Sequence, residues 1–367
     1  MSDRRNNIPP NAVEEQKCPS CGSTMRFDPK EGKLVCDSCG RTEKISASGD
    51  AQEAQLGGFD FDNLSQQAVD PDAEALPIYH CVSCGAEVIA DAQRFSLTCP
   101  YCGNNIVLTD KVSGKLRPDG VLPFRITSDA LPDALNRFYK GKHLLPRNFF
   151  SESRTGSVTG VYLPFWVFDG NLSGVLDYAA ERSSSHRSGD YIVTDTAHYR
   201  LSRDVSVDFE GVPVDASGRI DDALMDSLEP FDLQQEQPFD PRYLAGFAAD
   251  RFDQAKEETA ERARARMRST AESVARAQAG AGYGLVRQTG GSLTANLKAR
   301  YVLFPVYLFD LTHNGNSYHF AVNGQSGKVV GNLPVDRGVS LRYFLLRMGV
   351  VLLALLGVSV ARYFMGR

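Results

Sequence analysis

The motif Cys18-Pro-Ser-Cys21-Gly22 decides the N-terminal architecture of this 367-residue chain, because four copies of Cys-x-x-Cys-Gly contain all eight of its cysteines. The further copies are Cys36-Asp-Ser-Cys39-Gly40, Cys81-Val-Ser-Cys84-Gly85 and Cys99-Pro-Tyr-Cys102-Gly103. Fourteen residues separate Cys21 from Cys36, and fourteen separate Cys84 from Cys99, so one module occurs twice. Two such pairs joined by a short hairpin predict one tetrahedral four-cysteine site per module.

The spacing predicts two zinc ribbons with two structural Zn2+ ions. The predicted ligands are Cys18, Cys21, Cys36 and Cys39 in the first ribbon, and Cys81, Cys84, Cys99 and Cys102 in the second. Glycine after each second cysteine suits a tight knuckle, because glycine accepts positive φ and lets backbone amides point at sulfur. A catalytic zinc site is disfavoured, since it keeps one position for water. Pairing of motifs across the two modules remains an alternative.

A disulfide framework is the competing interpretation of eight cysteines. Residues 1–16 are polar and lack the apolar run of a signal peptide, and a chain of this length needs no disulfide staples. Zinc in a reducing compartment is therefore favoured. The net charge of −5, and the absence of a basic face on either ribbon, make nucleic acid an unlikely partner.

The C-terminus carries the second informative pattern. Residues 348–361 hold no charge, and the extended segment 343–364 is long enough to span a bilayer, with Arg347 and Arg362 near its ends. Aromatic residues at both ends suit the membrane interface. We predict a transmembrane helix at 343–364, with a buried core helix or a dimerisation helix as alternatives. The lipid bilayer is thus a predicted partner.

Orientation follows from two weaker signals. Arg337, Arg342 and Arg347 precede the apolar segment, which favours the N-terminal bulk in the cytoplasm. Zinc thiolates require a reducing compartment, which favours the same side. The prediction is a single-pass, tail-anchored protein of the cytoplasmic membrane.

Composition divides the remaining chain. A disordered lead at 1–16, zinc ribbon 1 at 17–40, an acidic flexible linker at 41–76, zinc ribbon 2 at 77–112 and an α+β body at 115–335 are predicted. Within the linker, residues 58–64 read Gly-Phe-Asp-Phe-Asp-Asn-Leu, which is either a docking motif or a stretch that packs on a ribbon.

The body pattern predicts a mainly antiparallel α+β fold with one long helix at about 241–279. Ser128 is a predicted N-cap for a helix over 129–140, and Gly141 is its stop. Asn323-Gly324 and Ser326-Gly327 predict hairpin turns. Strands are predicted at 121–126, 157–168, 174–179, 191–199, 205–209, 300–311, 317–322 and 328–330.

An internal echo joins two body segments. Residues 163–169 read Leu-Pro-Phe-Trp-Val-Phe-Asp, and residues 304–310 read Phe-Pro-Val-Tyr-Leu-Phe-Asp. Both predict strands with proline at the head, where its missing N–H is tolerated, and we expect paired strands from two related β units. Trp166, the only tryptophan, is predicted to be a core residue.

Catalytic signatures are missing. The sequence has no phosphate-binding Gly-x4-Gly-Lys-Ser/Thr loop, no Gly-x-Ser-x-Gly elbow and no His-Glu-x-x-His pair. His313 and His319 are expected to be surface or strand residues, and Asp169 and Asp310 both end predicted strands. A hydrolase using either aspartate is a third hypothesis, but the prediction is a protein that is not an enzyme and has no catalytic residues.

These motifs together resemble the bacterial membrane-associated double zinc-ribbon proteins, which often carry a label taken from the primosomal replication-restart helicase or the TFIIB zinc ribbon. The resemblance covers most of residues 17–367. It is carried by the ribbons, residues 163–169, Tyr243-Leu-Ala-Gly-Phe247 and the stretch 320–327. It implies SPFH/flotillin-like or phage-shock PspA-type proteins as partners, with recruitment to the membrane in envelope stress. The helicase motor of the label is absent from this sequence.

The leading prediction is a non-enzymatic, membrane-anchored scaffold whose ribbons bind cytosolic or membrane-associated proteins. The alternative is a nucleic-acid-binding zinc-ribbon protein related to replication or transcription, without a helicase motor.

Overall fold

The computed structural model describes residues 16–45, 117–146, 149 and 158–365, with side chains as far as residue 358. It also describes the backbone of short strands at 13–14, 78–80, 87–89, 94–98, 105–108 and 154–155. The fold is α+β with mixed sheets and one long apolar helix at the C-terminus. Most of the predicted acidic linker, including residues 58–64, lies outside the described residues.

The strands have the following bounds. They are β1 (Val13–Glu14), β2 (Met25–Asp28), β3 (Lys33–Cys36), β4 (Thr42–Glu43), β5 (Ile78–His80), β6 (Glu87–Ile89), β7 (Arg94–Thr98), β8 (Asn105–Leu108), β9 (Gly120–Val121), β10 (Arg154–Thr155), β11 (Thr159–Ser188), β12 (Tyr191–Asp215), β13 (Gln237–Pro238), β14 (Ala248–Asp250), β15 (Leu285–His313), β16 (Asn316–Asn323) and β17 (Val329–Gly331). The α-helices are α1 (Leu131–Tyr139), α2 (Asp222–Ser227), α3 (Lys256–Ala279) and α4 (Arg337–Met365).

Residues 16–45, here called the N-terminal module, form a small antiparallel sheet in the order β2-β3-β4. Asp28 starts the turn between β2 and β3, where its carboxylate accepts the backbone N–H of Lys30 at 2.8 Å. Gly32 ends this turn with φ of +63°, a conformation that suits glycine. The module continues through β4, so it extends past the predicted ribbon end at residue 40.

The central sheet runs in the order β1-β8-β7-β14-β11-β15-β16-β17. Most neighbours are antiparallel, but β11 pairs with β14 in parallel and β15 pairs with β9 in parallel. Val13 in β1 pairs with Leu108, so the end of the predicted disordered lead is a strand. Ala249 in β14 pairs with Ser96 in β7, so strands of the predicted second ribbon continue the sheet of the body.

Three very long strands, β11, β12 and β15, form a projecting sheet that we call the blade. The four strands predicted between 157 and 209 are in fact two, which form one hairpin from Phe165↔Asp215 to Ser188↔Tyr191. One predicted break, residues 169–173, contains Gly170, where a Cβ would lie 2.2 Å from the carbonyl oxygen of Asn296. Gly174, at the start of the next predicted strand, marks a similar close approach of strands. A Cβ there would lie 2.1 Å from the carbonyl oxygen of Ser292.

Strand β15 pairs with β11 from Thr159↔Leu308 to Glu181↔Leu285. Residues 182–188 and 191–197 extend beyond β15 and pair only with each other in the described ladders. We call this projecting end of the hairpin, residues 182–197, the tip. The blade thus has three strands along most of its length and two at its tip.

The two echo segments lie on the neighbouring strands β11 and β15. They meet at their first residues, Leu163 opposite Phe304, and the rings of Phe165 and Phe304 stack at 4.2 Å. Their prolines are inside the strands rather than at the strand heads, which corrects the prediction. Pro164 lies next to the last β11–β12 pair and Pro305 next to the last β15–β16 pair, so the missing N–H falls where a neighbouring ladder ends.

Helix α3 lies across one face of the blade through a seam of small side chains. It begins at Lys256, not near residue 241, because Pro241 starts a single 3-10 turn and residues 248–250 are strand β14. Its apolar face packs on blade residues such as Phe168 and Leu176. The buried seam consists of Thr259, Ala260, Ala263, Met267, Ala271, Ala275 and Ala279.

Residues 262–268 of α3 include four arginines at every second position, here called the arginine run, and three of them pair with acidic side chains. Arg262 contacts Asp222 at 2.9 Å, and Arg266 contacts Glu229 at 2.7 Å. Both acids belong to the α2 region, so these arginines attach α3 to the body. This pairing supports a structural role for the run rather than a basic binding surface.

The body core has two layers on opposite faces of the sheet. Helix α1 and the N-terminal module cover one face, with Phe124, Tyr162 and Phe320 among the buried rings. Helix α2 covers the other face, which buries Phe165 and Phe304. The helix predicted over 129–140 begins as a 3-10 turn at Ser128–Ala130, without the predicted side-chain cap.

Helix α4 is long and apolar enough to cross a membrane. Its segment Arg337–Val358 has 22 residues, about 33 Å at 1.5 Å per residue, and none of its apolar window is buried in the described structure. The Asp336 carboxylate caps its start by accepting the N–H groups of Gly338 at 2.7 Å and Val339 at 2.9 Å.

Candidate metal centre

Cys18, Cys21, Cys36 and Cys39 meet at one end of the N-terminal module, with all four sulfur atoms within 4.8 Å of one another. The Sγ atoms of Cys18 and Cys39 are 3.6 Å apart, and those of Cys21 and Cys36 are 3.5 Å apart. Metal–sulfur bonds of about 2.3 Å in a tetrahedral site would place the sulfurs about 3.8 Å apart. The first predicted ligand set is therefore brought together in a geometry that could hold one metal ion.

Both cysteine pairs sit in knuckles with the same backbone hydrogen bonds. The N–H of Gly22 donates to the carbonyl of Cys18 at 2.8 Å, and the N–H of Gly40 donates to that of Cys36 at 2.9 Å. Both glycines have positive φ, +75° and +72°. The sulfur separations far exceed the disulfide bond length of about 2.05 Å, so these four cysteines are free thiols.

The cysteine thiols at this site differ in pKa. Hydrogen bonds from the side chain and backbone of Ser23 lower the pKa of Cys21 to about 6. The backbone amide of Arg41 favours the Cys39 thiolate, but the three neighbouring sulfurs and burial outweigh it and raise the pKa of Cys39 to about 12. A dication at the centre would remove this conflict, because it stabilises all four thiolates together.

The N-terminal module is docked on the body, which the sequence did not predict. The backbone N–H of Phe27 donates to the carbonyl of Ala245 at 2.9 Å, and the ring of Phe27 meets the ring of Tyr243 edge-on at 5.3 Å. Met25 and Leu34 are buried in the same cluster. The body residues that contact the module, Tyr243 and Ala245, belong to the stretch Tyr243-Leu-Ala-Gly-Phe247, which is one of the stretches that carry the family resemblance.

The second predicted ligand set, Cys81, Cys84, Cys99 and Cys102, lies outside the described residues. The strand pairs that flank these motifs repeat the first module, because the residue before each motif pairs with the residue seven positions later. In the N-terminal module these pairs are Lys17↔Thr24 and Val35↔Thr42, and around the second set they are His80↔Glu87 and Thr98↔Asn105. The second metal ion stays a prediction.

The two aspartates of the hydrolase hypothesis lie far apart. Asp169 is opposite Lys298 on β15, and Asp310 is twelve residues further along that strand, about 40 Å at 3.3 Å per residue. Asp169 accepts the backbone N–H of Gly211 at 2.6 Å and forms an ion pair with Arg300. The two carboxylates therefore cannot act on one bond.

Asp310 lies at the rim of a cleft of about 750 Å³ between α2 and the end of the central sheet. Its carboxylate contacts Nδ1 of His319 at 2.5 Å, and both side chains are exposed. The floor includes Val161, Leu308 and Leu224. His313, by contrast, is buried against Phe149 at a ring distance of 5.0 Å; both histidines belong to strands, as predicted.

Trp166 is half-buried at the base of the blade. Its indole N–H donates to the carbonyl of Gln254 at 3.4 Å, and its ring packs beside Phe252 and Tyr301. These contacts pack it against the core, but it is half-buried and is not the fully buried core residue that the sequence predicted.

Comparison with known proteins gives one informative relative. The chain is 36% identical over 345 residues to the uncharacterized protein YdjG of Bacillus subtilis strain 168, and the match covers 94% of this chain and 97% of the relative. No family model and no solved structure matches the chain. A match of this identity along nearly the whole length of both proteins means that the chain belongs to the same family as YdjG.

Proposed function

We propose that this protein is a non-enzymatic adaptor, anchored in the cytoplasmic membrane by α4, that holds a protein-binding surface far from the bilayer. The observation that carries the proposal is the placement of the anchor and the tip at opposite ends of the blade. Helix α1 packs on Phe320 beside Phe309, near one end of β15, and α4 starts next to α1. The tip lies beyond Leu285, at the other end of β15.

The length of the blade sets the reach of the adaptor. From Leu285 to Phe309, β15 has twenty-four residue steps, about 80 Å at 3.3 Å per residue. A partner bound at the tip would be held at this distance from the membrane-proximal end. Tethering raises its effective concentration there, so weak contacts become useful.

The tip has the properties of a recognition surface. Tyr191 and Ile192 are 77% and 78% exposed, although large apolar side chains of this kind are normally covered. The ladder around them is held by Ser183–Thr196 and Ser185–Thr194 hydroxyl hydrogen bonds of 2.8 and 2.7 Å. A hairpin with an exposed tyrosine supports a protein partner, because aromatic anchors dominate protein interfaces.

Two structural zinc ions complete the proposal. The sulfur geometry of Cys18, Cys21, Cys36 and Cys39 supports one zinc ribbon, and the repeated flanking strand pairs support a second at Cys81, Cys84, Cys99 and Cys102. Zinc would serve folding here, because small modules of this kind depend on metal for their structure. Thiolate ligands in turn support a cytosolic location of the N-terminal bulk.

The proposed partners are cytosolic or membrane-associated proteins. SPFH/flotillin-like and PspA-type proteins, with a role in envelope stress, are the candidates that the sequence resemblance implies. Nucleic acid is disfavoured, because the N-terminal module pairs basic side chains with acidic ones, Arg26 with Asp37 at 2.8 Å and Lys33 with Glu31 at 3.6 Å.

The test is affinity capture of the full-length protein from membranes, compared with the Tyr191→Ser/Ile192→Ser variant. Val175→Ser is a matched control, because Val175 is an exposed apolar residue on the same strand ladder, outside the tip. We expect a specific partner to be lost only with the tip variant. An unchanged partner in both variants would contradict the role of the tip, and steep salt-dependent binding to duplex DNA would favour the nucleic-acid alternative.

A further inference from the structure

The segment that follows α1, residues 140–146, is attached to the start of α4. The backbone N–H of Asp336 donates to the carbonyl of Leu144 at 2.9 Å, and the ring of His143 stacks beside the ring of Tyr343 at 6.4 Å. Residues almost two hundred positions apart in sequence therefore lie at the same level of the molecule. The residues just after α1 therefore share the environment of the first turns of α4.

This junction concentrates positive charge. We call its exposed basic residues the basic collar, and they are Arg137, Lys140, Lys142, His143, Arg337, Arg342 and Arg347. Segments 136–146 and 337–347 contain no acidic residue. The nearest acid in sequence, Asp336, is occupied with capping the first turn of α4. The charge of the collar thus faces outward without an acidic partner from these two segments.

Aromatic rings lie among these charges. The Lys142 Nζ is 4.4 Å from the ring centroid of Phe138, and Arg347 lies over the ring of Tyr343 while donating to its hydroxyl at 2.7 Å. Leu341, Phe344 and Leu345 are exposed on the adjoining turns of α4. Basic and aromatic residues that adjoin exposed aliphatic residues are typical of segments at a membrane interface.

We propose that the basic collar binds the headgroups of anionic lipids and so holds the end of α1 against the bilayer surface. The proposal rests on the membrane anchoring of α4 given above and adds the lipid class and a second contact point. Each basic residue near an anionic membrane surface raises the binding constant for that surface about fivefold. With contacts from both α1 and α4, the body would be held at a fixed tilt instead of rotating about one helix.

The occupant is a lipid surface because the collar is continuous with the exposed apolar side chains of α4. Once α4 enters a bilayer, Arg342 and Arg347 lie within two turns of the hydrocarbon, where phospholipid phosphates are the anions at hand. Lys140 and Lys142 are at the same level through the His143–Tyr343 contact. These two lysines therefore distinguish the collar from the arginines that flank α4 in sequence.

The experiment compares the full-length protein in nanodiscs of phosphatidylcholine alone and of phosphatidylcholine mixed with phosphatidylglycerol. Hydrogen–deuterium exchange of residues 131–145 is measured in both. We expect exchange to slow by about fivefold or more when phosphatidylglycerol is present, and this slowing to disappear at high salt. Lys140→Glu/Lys142→Glu should abolish the lipid dependence, and Lys140→Arg/Lys142→Arg should retain it.

Arg200→Glu/Arg203→Glu is the matched control, because these exposed residues of β12 lie on the blade, far from α4. Equal exchange of wild-type protein in the two kinds of nanodisc would overturn the collar while leaving the anchor intact. Faster exchange of the lysine-to-glutamate variant in phosphatidylcholine alone would also overturn it, since that result indicates a structural role. Failure of the wild-type chain to enter nanodiscs would overturn the anchor and the collar together.

Discussion

The N-terminal module and the blade differ in what holds their strands together. The module has short strands and buries only a few apolar side chains of its own, so four cysteines at one end and docking through Phe27 at the other must stabilise it. The blade has ladders more than twenty residue pairs long, each with a single register shift, and a seam of alanines under α3. One region therefore depends on a few side chains, and the other on the backbone along its whole length.

Removing a metal ligand should produce the largest effect and should act on the module alone. Cys36→Ser leaves three thiols, and structural zinc contributes on the order of 10 kcal/mol to such small modules. We expect loss of one metal equivalent per chain and fast hydrogen exchange over residues 25–43, with blade exchange unchanged. Ser38→Ala, at an exposed non-ligand position of the same knuckle, is the control. Full metal content in Cys36→Ser would refute the assignment.

Adding a single methyl group at Gly291 should destabilise the blade and leave the N-terminal module unchanged. Gly291 has φ of +101°, and a Cβ there would lie 2.2 Å from the carbonyl oxygen of Val175. We expect Gly291→Ala to lower the free energy of unfolding by about 2–4 kcal/mol, measured on detergent-solubilised protein. Gly290→Ala is the matched control, because its Cβ would meet only the Asp177 carboxylate at 3.8 Å. Equal effects of the two substitutions would argue against close strand approach.

Asp215, the last residue of β12, makes the base of the blade sensitive to pH. Burial and the nearby Asp222 raise its pKa to about 7, against the Ser217 amide and Arg262, which lower it. The folded chain keeps this proton while the unfolded chain loses it near pH 3.8, so stability falls as pH rises from about 4 to 7.

Asparagine mimics the protonated side chain at this position. We expect Asp215→Asn to exceed wild type in stability at pH 8 by about 1–3 kcal/mol and to match it near pH 4, in thermal unfolding at both values. Asp204→Asn, an exposed carboxylate on the same strand, should leave the difference between the two pH values unchanged. A gain for Asp215→Asn that is equal at both pH values would contradict the burial argument.

Removing a surface charge of the N-terminal module should have the smallest effect on stability. Arg26 and Asp37 form an exposed ion pair, and such pairs contribute under about 1 kcal/mol. Arg26→Ala should therefore leave the metal content and the exchange of residues 25–43 close to wild type. A loss comparable to that of Cys36→Ser would mean that the ion pair contributes as much to the module as its cysteines do, against the small contribution expected of an exposed pair.

Signals that act over short distances in the chain were predictable. The cysteine spacing identified the four cysteines that meet in the N-terminal module and could hold a metal ion. The run of apolar residues identified α4, and Asn323-Gly324 and Ser326-Gly327 marked the turn between β16 and β17. These features depend on ligand spacing, helix length and turn conformation, which neighbouring residues set by themselves. The echo of residues 163–169 and 304–310 also correctly indicated neighbouring strands.

Other features depend on residues that are distant in sequence. Gly170 lies in the gap predicted between two strands, but its partner strand shows that it permits close backbone approach, since a Cβ there would lie 2.2 Å from the carbonyl oxygen of Asn296. Likewise, Pro241 resembles a helix start until the pairing of β14 with β7 and β11 takes up the residues that follow.

Residue type and spacing along the chain were sufficient to predict the meeting of Cys18, Cys21, Cys36 and Cys39, the α+β class and the apolar C-terminal helix, because each of these features is local or periodic. The three-dimensional fold was needed to show that the N-terminal module docks on the body, that the strands of the blade run without interruption, and that the segment after α1 brings Lys140 and Lys142 to the start of α4. These arrangements arise from contacts such as Phe27–Ala245, Gly291–Val175 and His143–Tyr343, whose partners lie far apart in the chain, so no local pattern encodes them.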